Sequence, residues 1–90
     1  MKELFYSNAF KKDVERLLKR HKDMIKLKDV KDLLVSGKEL PEKYKDHKLK
    51  GNWSGHRDLH IEPDWVLIYK VGEDFVHFAR MGSHADLKLA

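Results

Sequence analysis

The stretch RDLHIEPDWVLIYKVGEDFVHFAR, which runs from Arg57 to Arg80, decides the fold class of this 90-residue chain. It is rich in β-branched and aromatic residues and is interrupted by turn signals at Glu62-Pro63-Asp64 and at Gly72-Glu73. Short turns between successive strands predict an antiparallel meander. We predict its strands at Leu49 to Trp53, Arg57 to Ile61, Trp65 to Val71 and Phe75 to Arg80.

The first half of the chain has helical patterns. After a short strand-like start at Leu4 to Tyr6, Ser7 is a good N-cap for a helix that ends near His21. Asp23 is a good N-cap for a second helix that stops at Gly37. We therefore predict an α+β fold in which residues 1–90 form a single domain. Two N-terminal helices pack on one face of a small antiparallel β-sheet, and the other face is left for a ligand.

Composition restricts the chemistry and the partners of the chain. Without cysteine it has no disulfides or thiolate metal sites, so any chemistry must use histidine, carboxylate and arginine side chains. No apolar run approaches the roughly 20 residues of a membrane span, and the start MKELFYSNAF lacks the features of a signal peptide. We expect a cytoplasmic protein with no membrane partner. A formal net charge of +4 favours polyanionic partners, such as nucleic acid or an acidic protein inhibitor.

Positive charge is concentrated in one segment. Between Lys43 and Arg57, five positive side chains stand against one acid, Asp46, which gives a local net charge of +4. This value equals the formal charge of the whole chain. We predict that the segment grips an RNA backbone through Lys43, Lys45, Lys48, Lys50 and Arg57.

The meander brings polar residues from distant parts of the sequence to one edge of the sheet. Because neighbouring strands run in opposite directions, His60 comes near Asp64, and the next hairpin returns Arg80 to the same end. The tail then carries His84 a few residues further. His47 lies in the loop that enters the sheet, where it can fold over the site. The candidate catalytic residues are therefore His47, His60, Asp64, Arg80 and His84.

These residue types match the needs of RNA phosphodiester transfer. A base must take the proton of the ribose 2′ hydroxyl, a cation must stabilise the charged phosphate oxygens, and an acid must protonate the leaving 5′ oxygen. Histidine suits the first and third tasks because its ordinary pKa is close to neutrality, and Arg80 can bind phosphate through its planar guanidinium. Plainer interpretations stay open, since Asp64 after Pro63 can be an ordinary turn residue and Trp65 a core residue.

A metal site is another interpretation of His60, Asp64 and His84, because nitrogen and oxygen ligands suit zinc or manganese. The sequence has no HExxH motif or similar compact signature. We therefore predict no metal ion and no other cofactor. The remaining histidines, His21, His56 and His77, are interpreted as structural.

Several segments of the chain resemble the YafQ branch of the RelE/ParE toxin superfamily. They are YKDHKLKGNW at Tyr44 to Trp53, RDLHIEPDWVLIYKV at Arg57 to Val71 and RMGSHADL at Arg80 to Leu87. In the first half, FKKDVERLLKRHKDMIKL resembles the first two helices of that branch. The resemblance covers nearly the whole chain. It implies a RelE-like fold and a bacterial type II toxin, an endoribonuclease that enters the ribosomal A site and cuts messenger RNA there without a metal ion.

The resemblance also implies roles for the matched residues. His84 is implied as the general acid, and Asp64 or His47 as the base or the group that orients it. His60 and Arg80 are implied as the groups that hold the phosphate. The expected product carries a 2′,3′-cyclic phosphate or its hydrolysis product.

Two further matches concern contacts to the message. Trp65 matches an aromatic residue beside the catalytic turn, and Leu87 matches a leucine that is often followed by an aromatic residue; both are assigned here to substrate binding. Leu87 is followed instead by Lys88, Leu89 and Ala90, so the resemblance does not settle codon preference.

The implied partners are messenger RNA on the ribosome, with ribosomal RNA contacts, and a cognate antitoxin. The antitoxin is usually a ribbon-helix-helix protein, and operator DNA is bound only through it. Two alternatives stay open. One is a non-catalytic, gyrase-directed relative from the ParE arm, which lacks the histidine and arginine set, and the other is a small basic RNA-binding module.

Overall fold

The computed structural model describes residues 2–89, in which two helices pack on one face of a five-stranded sheet. The strands are β1 (Glu3–Tyr6), β2 (His47–Lys48), β3 (Arg57–Glu62), β4 (Trp65–Val71) and β5 (Phe75–Gly82). Their order across the sheet is β1-β5-β4-β3-β2. The helices are α1 (Asn8–Lys19), α2 (Met24–Ser36) and the short α3 (His84–Leu87). The α+β prediction is confirmed.

The predicted signals for starting and stopping the two long helices are also confirmed. The Ser7 hydroxyl accepts a hydrogen bond from the backbone N–H of Phe10 at 2.9 Å, and the Asp23 carboxylate accepts one from that of Ile25 at 3.0 Å. Gly37 follows α2 with a φ of 72°, in the left-handed region that glycine enters without strain. Local chemistry therefore sets these boundaries.

The sheet differs from a purely antiparallel meander at its β1 edge. Strands β2 to β5 pair antiparallel with their neighbours, but β1 pairs parallel with β5, with Glu3 opposite Phe75 and Tyr6 opposite Phe78. A tight turn forces two strands to be antiparallel, whereas β1 and β5 are joined through all the intervening elements. The direction of β1 is therefore not fixed by a turn.

The predicted strand from Leu49 to Trp53 is wrong. The ladder to β3 covers only His47 and Lys48, and Gly51–Trp53 form a short 3₁₀ helix. Gly51 has a φ of 66°, which takes the chain out of the extended conformation. Other boundaries shift by one or two residues, since β3 reaches Glu62 and β5 reaches Gly82.

Each face of the sheet carries its own hydrophobic cluster. The larger cluster lies under the helices and contains the fully buried Trp65, Tyr69 and Phe78. A smaller cluster on the other face contains Val66, Ile68, Ala79 and Leu87, covered at its margin by Leu49, Trp53 and Leu89. The second face is therefore only partly open, which corrects the expectation that it is left for a ligand. No helix within residues 2–89 is long and apolar enough to cross a membrane.

Candidate active site

The register of the sheet places three of the five candidate residues in two neighbouring rows. One row crosses four strands through His47, Asp58, Ile68 and Arg80. The next row crosses three strands through His60, Val66 and Gly82. Paired residues project to the same face, and β3 residues two apart do so as well, so Asp58 and His60 share a face. The register therefore brings His47, His60 and Arg80 to neighbouring positions on the sheet.

His60, His84 and Asp64 form a continuous chain of contacts. The Nε2 atoms of His60 and His84 are 3.2 Å apart, and Nδ1 of His84 is 2.6 Å from Oδ1 of Asp64. The backbone N–H of His84 donates to the same carboxylate oxygen at 2.9 Å. These hydrogen bonds, the backbone one first, hold the pKa of Asp64 below its usual value. Asp64 is therefore ionised near neutral pH and fixes the orientation of the His84 ring.

The contacts of Asp64 also decide which nitrogen of His84 exchanges a proton. An ionised carboxylate is only an acceptor, so Nδ1 of His84 carries a hydrogen, and in neutral imidazole Nε2 is then the acceptor. His60 must in turn donate from Nε2 across the 3.2 Å contact. Its Nδ1 is buried and has no hydrogen-bond partner among the described residues. The pair therefore shares one proton between facing nitrogens, an arrangement suited to proton transfer at Nε2 of His84.

His47 lies over the other end of this cluster, on β2. Its ring is 6.4 Å from that of His60, and its Nδ1 is 3.0 Å from both the Lys45 carbonyl oxygen and Oδ1 of Asp58. Asp58 is buried beneath it, and this burial raises the pKa of Asp58 against the opposing effect of His47. The Nδ1 atom of His47 carries at most one hydrogen, and the Lys45 carbonyl oxygen competes with Asp58 to accept it. The contact between His47 and Asp58 is therefore electrostatic.

Arg80 is held by a buried acid on α1. Asp13 is 1% exposed, and its carboxylate accepts from Nε of Arg80 at 2.7 Å and from Nη2 at 3.2 Å. It also accepts from the backbone N–H of Met81 at 2.9 Å and lies 2.9 Å from Nη2 of Arg16. The pKa of Arg80 rises because of the hydrogen bonds to Asp13, so its charge is secure. A carboxylate on α1 therefore fixes the orientation of the Arg80 side chain on β5.

The C-terminal helix α3 is tied to α1, and this tie places His84. The Ser83 hydroxyl and the Asp86 carboxylate each accept a backbone N–H from the other residue, in a capping box. Asp86 also accepts from Nη1 of Arg20 at 2.6 Å. A Cβ atom on Gly82 would lie 2.9 Å from both Nη2 of Arg16 and Cβ of Asp86. Only glycine leaves room here for the helices to meet.

The five positive residues predicted to bind RNA divide into a paired arginine and four exposed lysines. Arg57 is engaged, because its Nε and Nη2 donate to the carboxylate of Asp46 at distances of 2.7 to 3.1 Å, and the Tyr69 hydroxyl donates to the same carboxylate. Burial and the bond to Asp46 raise the pKa of Tyr69. Arg57 therefore fastens the loop to the sheet. The exposed members are Lys43, Lys45, Lys48 and Lys50.

Two predicted substrate contacts do not fit the structure. Trp65 is 0% exposed and faces the helices, so its ring is a core residue and cannot stack on a base. Leu87 is 6% exposed and packs against Val66 and Ile68. Apolar side chains at these places are taken up by the two hydrophobic clusters, and both assignments are corrected to structural roles.

Sequence reasoning missed Asp13, Asp58 and Gly82. Asp58 alternates with His60 along β3, so the period of a strand could have placed it on the same face. Asp13 lies between Phe10 and Leu17 in the apolar stripe of α1, and an acid in such a stripe signals a buried partner. No comparable signal existed for Gly82, whose role depends on contacts among three separate elements.

Comparison with known proteins identifies relatives of this chain. Residues 2–89 match a family model described as a bacterial toxin of type II toxin-antitoxin system, YafQ. The mRNA interferase toxin YafQ of Escherichia coli K12 is 49% identical over 87 residues, which cover 96% of this chain and 95% of that protein.

Solved structures agree with the fold. YafQ in the crystal structure of the E. coli DinJ-YafQ complex superimposes with a TM-score of 0.90 at 49% identity, covering 97% of this chain and 98% of that one. A metal-bound toxin from Helicobacter pylori superimposes with a TM-score of 0.90 at 36% identity, covering 97% and 99% of the two chains. The likeness therefore extends over nearly the full length of each chain.

Proposed function

This chain belongs to the YafQ family of toxins from bacterial type II toxin-antitoxin systems, and from that premise we propose that it cuts messenger RNA in the ribosomal A site by metal-independent acid-base catalysis. The family match supports the toxin class, and the E. coli relative is named an mRNA interferase. The observation that carries the chemical proposal is the Asp64-His84-His60 chain of contacts, with its 2.6 Å and 3.2 Å spacings. Such a chain suits proton transfer to a leaving oxygen.

The proposed reaction is an internal transfer at phosphorus. A base, for which His47 above Asp58 is the candidate, takes the proton of the ribose 2′ hydroxyl, and the 2′ oxygen bonds to phosphorus. The bond from phosphorus to the 5′ oxygen breaks, and that oxygen takes a proton from Nε2 of His84, which enters this step doubly protonated and leaves it neutral with hydrogen on Nδ1. The products are a 2′,3′-cyclic phosphate and a 5′ hydroxyl end.

In this proposal, Arg80 and His60 stabilise the negative charge on the phosphate oxygens. Two nitrogens of the Arg80 guanidinium are occupied by Asp13, and its remaining N–H groups are left for phosphate oxygens. His60 lies within contact distance of His84, so it can donate to the same phosphate. Asp64 orients His84 and is not itself the base.

The test is primer-extension mapping of messenger RNA in programmed ribosomes, with and without ribosomes. We expect cuts at A-site codons only when ribosomes are present, and a loss of about 100-fold or more in cleavage rate for His84→Ala. His77→Ala is the matched control, because it removes a half-buried histidine from β5 outside the cluster. Undiminished cutting by His84→Ala, or cutting of free RNA, contradicts the proposal.

A chelator arm separates this proposal from metal-dependent hydrolysis. Two Nε2 atoms 3.2 Å apart also approximate one edge, about 3.3 Å, of a tetrahedral site with metal-nitrogen bonds of about 2.0 Å. Within residues 2–89, however, no group of three or more histidine or acidic residues is arranged to hold a metal ion. Cleavage that persists in chelator, with ribosome integrity verified, supports the metal-free route.

The same proposal includes a partner. A DinJ-YafQ complex is known for the E. coli relative. We expect this toxin, acting in the cytoplasm, to be neutralised by a cognate antitoxin of the ribbon-helix-helix type, through which alone it reaches operator DNA. The four exposed lysines of the loop give an acidic antitoxin segment an electrostatic reason to bind. Co-expression with the cognate antitoxin should abolish mRNA cleavage and yield a stable complex in size-exclusion chromatography.

A further inference from the structure

A cavity of about 530 Å³ opens beside His60. Its lining residues come from α2, from the 3₁₀ helix Glu42–Tyr44 with the residue after it, from the end of β3 and from the turn that follows β3. His60 contributes both to this wall and to the pair with His84. A phosphodiester held at the histidine pair therefore has the cavity as an immediate neighbour.

The walls combine flat apolar surface with hydrogen-bonding groups. Tyr44, which is 9% exposed, and Pro63 supply apolar surface, and the Asp29 carboxylate is an acceptor. The two carboxylate oxygens of Glu62 already accept from Lys22 and Lys26. Pockets for small ligands typically measure about 300 to 1,000 Å³ and have this mixture of surfaces. A nucleobase presents the matching features, since its faces are apolar and its edge carries donors and acceptors.

The rim carries the charge that a nucleotide requires. Lys26 is paired with Glu62 at 2.7 Å, but Lys43 and Lys45 form no ion pair with a carboxylate among residues 2–89. Lys43 lies over the ring of Tyr44 at 5.1 Å, and Lys45 is fixed in the left-handed region with a φ of 51°. Two unneutralised ammonium groups thus border a cavity of mixed apolar and polar surface, which favours a base with its phosphate outside.

We propose that this cavity is a base-binding subsite, which receives the base of a nucleotide adjacent to the scissile phosphate. The inference rests on the proposed function, because it is His60 at the cleavage site that connects the two. Once unstacked from its neighbours, the base lies against Tyr44 and Pro63 and donates a hydrogen bond to the Asp29 carboxylate, while Lys43 and Lys45 meet the phosphate. The cavity then contributes to the choice of codon.

The test combines one change in the protein with one in the message. Asp29→Trp places a large ring at the exposed cavity margin of α2, and Asp32→Trp is its control, removing the same charge one helical turn away. The message carries an abasic ribonucleotide, which keeps the ribose and phosphate, at each position of the A-site codon and at its two neighbours in turn. Cleavage rates are measured for wild type and both variants.

We expect one abasic position to slow cleavage by wild type and Asp32→Trp about 10- to 100-fold. The same position should change cleavage by Asp29→Trp less than about twofold, since its base no longer enters the cavity, so the two changes are not additive. Additive effects at every position overturn the subsite. Failure of wild type to cut the unmodified message overturns the proposed function instead, so the two failures are distinguishable.

Discussion

At the scale of single residues, Asp13 shows how a buried acid holds the arginine that we propose binds the phosphate. It accepts two hydrogen bonds from Arg80 and one from the backbone of Met81. Replacing one partner of a buried pair leaves the other uncompensated, which is costly to stability as well as to function. The Arg80 side chain should therefore lose its fixed orientation when Asp13 loses its charge.

We predict that Asp13→Asn lowers the single-turnover cleavage rate on programmed ribosomes about 10- to 100-fold while ribosome affinity changes little. The amide keeps the shape of the side chain and can still accept from Met81. Glu15→Gln, an exposed change of the same kind on the same helix, should have no effect. Equal losses in affinity and rate would show that Asp13 acts on folding alone.

The charge of Arg57, in contrast, stabilises the fold through its pair with Asp46. We predict that Arg57→Ala lowers the free energy of unfolding by about 1 to 3 kcal/mol, because it leaves Asp46 next to the buried Tyr69 without its cation. The measurement is urea unfolding, with Lys50→Ala as the exposed control. A change in salt sensitivity without a change in stability would restore Arg57 to the RNA-binding surface.

Residue types and their order in the sequence were sufficient to predict that His60, Asp64 and His84 come together, because hairpin geometry brings strand ends together. They did not fix the position of His47. They were not sufficient to predict that Arg57 is paired with Asp46, because a sequence does not show whether an arginine has an ion-pair partner. The roles of Trp65 and Leu87 also had to come from their burial in the structure. In a sequence, an apolar side chain can equally be a core residue or a nucleic-acid contact.

At the scale of secondary-structure elements, α3 is the part that completes the site. Only one turn long, it presents His84 and depends on the Asp86 bonds to Arg20 and Ser83 for its position. Those bonds, with Arg20 the largest cause, hold the pKa of Asp86 well below its ordinary value. An acid with a lowered folded-state pKa stabilises the fold above its unfolded pKa, and this contribution is lost as pH falls through the folded value.

We therefore predict that wild type loses more stability than Asp86→Asn as pH falls from about 5 to 2.5, by about 1 to 2 kcal/mol. Chemical denaturation at several pH values measures this difference. Comparing the two proteins cancels the like-signed contributions of Glu62 and Asp64, whose pKa values are also lowered. Parallel pH profiles for the two proteins would show that Asp86 does not carry the acid sensitivity.

Elements with strong local signals were predicted well, and elements that depend on distant partners were not. Caps and apolar stripes located α1 and α2 within one or two residues. The pairing of β1 with β5, the 3₁₀ helix at Gly51–Trp53 and the turn of α3 are decided by surfaces that exist only in the folded chain. Propensity contains no information about those surfaces.

At the scale of the whole molecule, the charge distribution should govern association. Four exposed lysines, Lys43, Lys45, Lys48 and Lys50, follow one another along the loop beside the histidine cluster. We predict that Lys48→Ala with Lys50→Ala reduces the slope of log affinity for ribosomes against log salt by about 1.5. The paired change Lys12→Ala with Lys19→Ala, at exposed sites on α1, should leave the slope unaltered. Equal slopes for both pairs would indicate a diffuse field.

The parallel pairing of β1 with β5 has a consequence for the cell that makes this toxin. Residues 3–6 can find their partner only after residues 75–78 have been synthesised, and Asp13 meets Arg80 later still. Chains are made from the N-terminus, and contacts between distant segments form last. The candidate site therefore cannot assemble on a nascent chain before Arg80 has been synthesised.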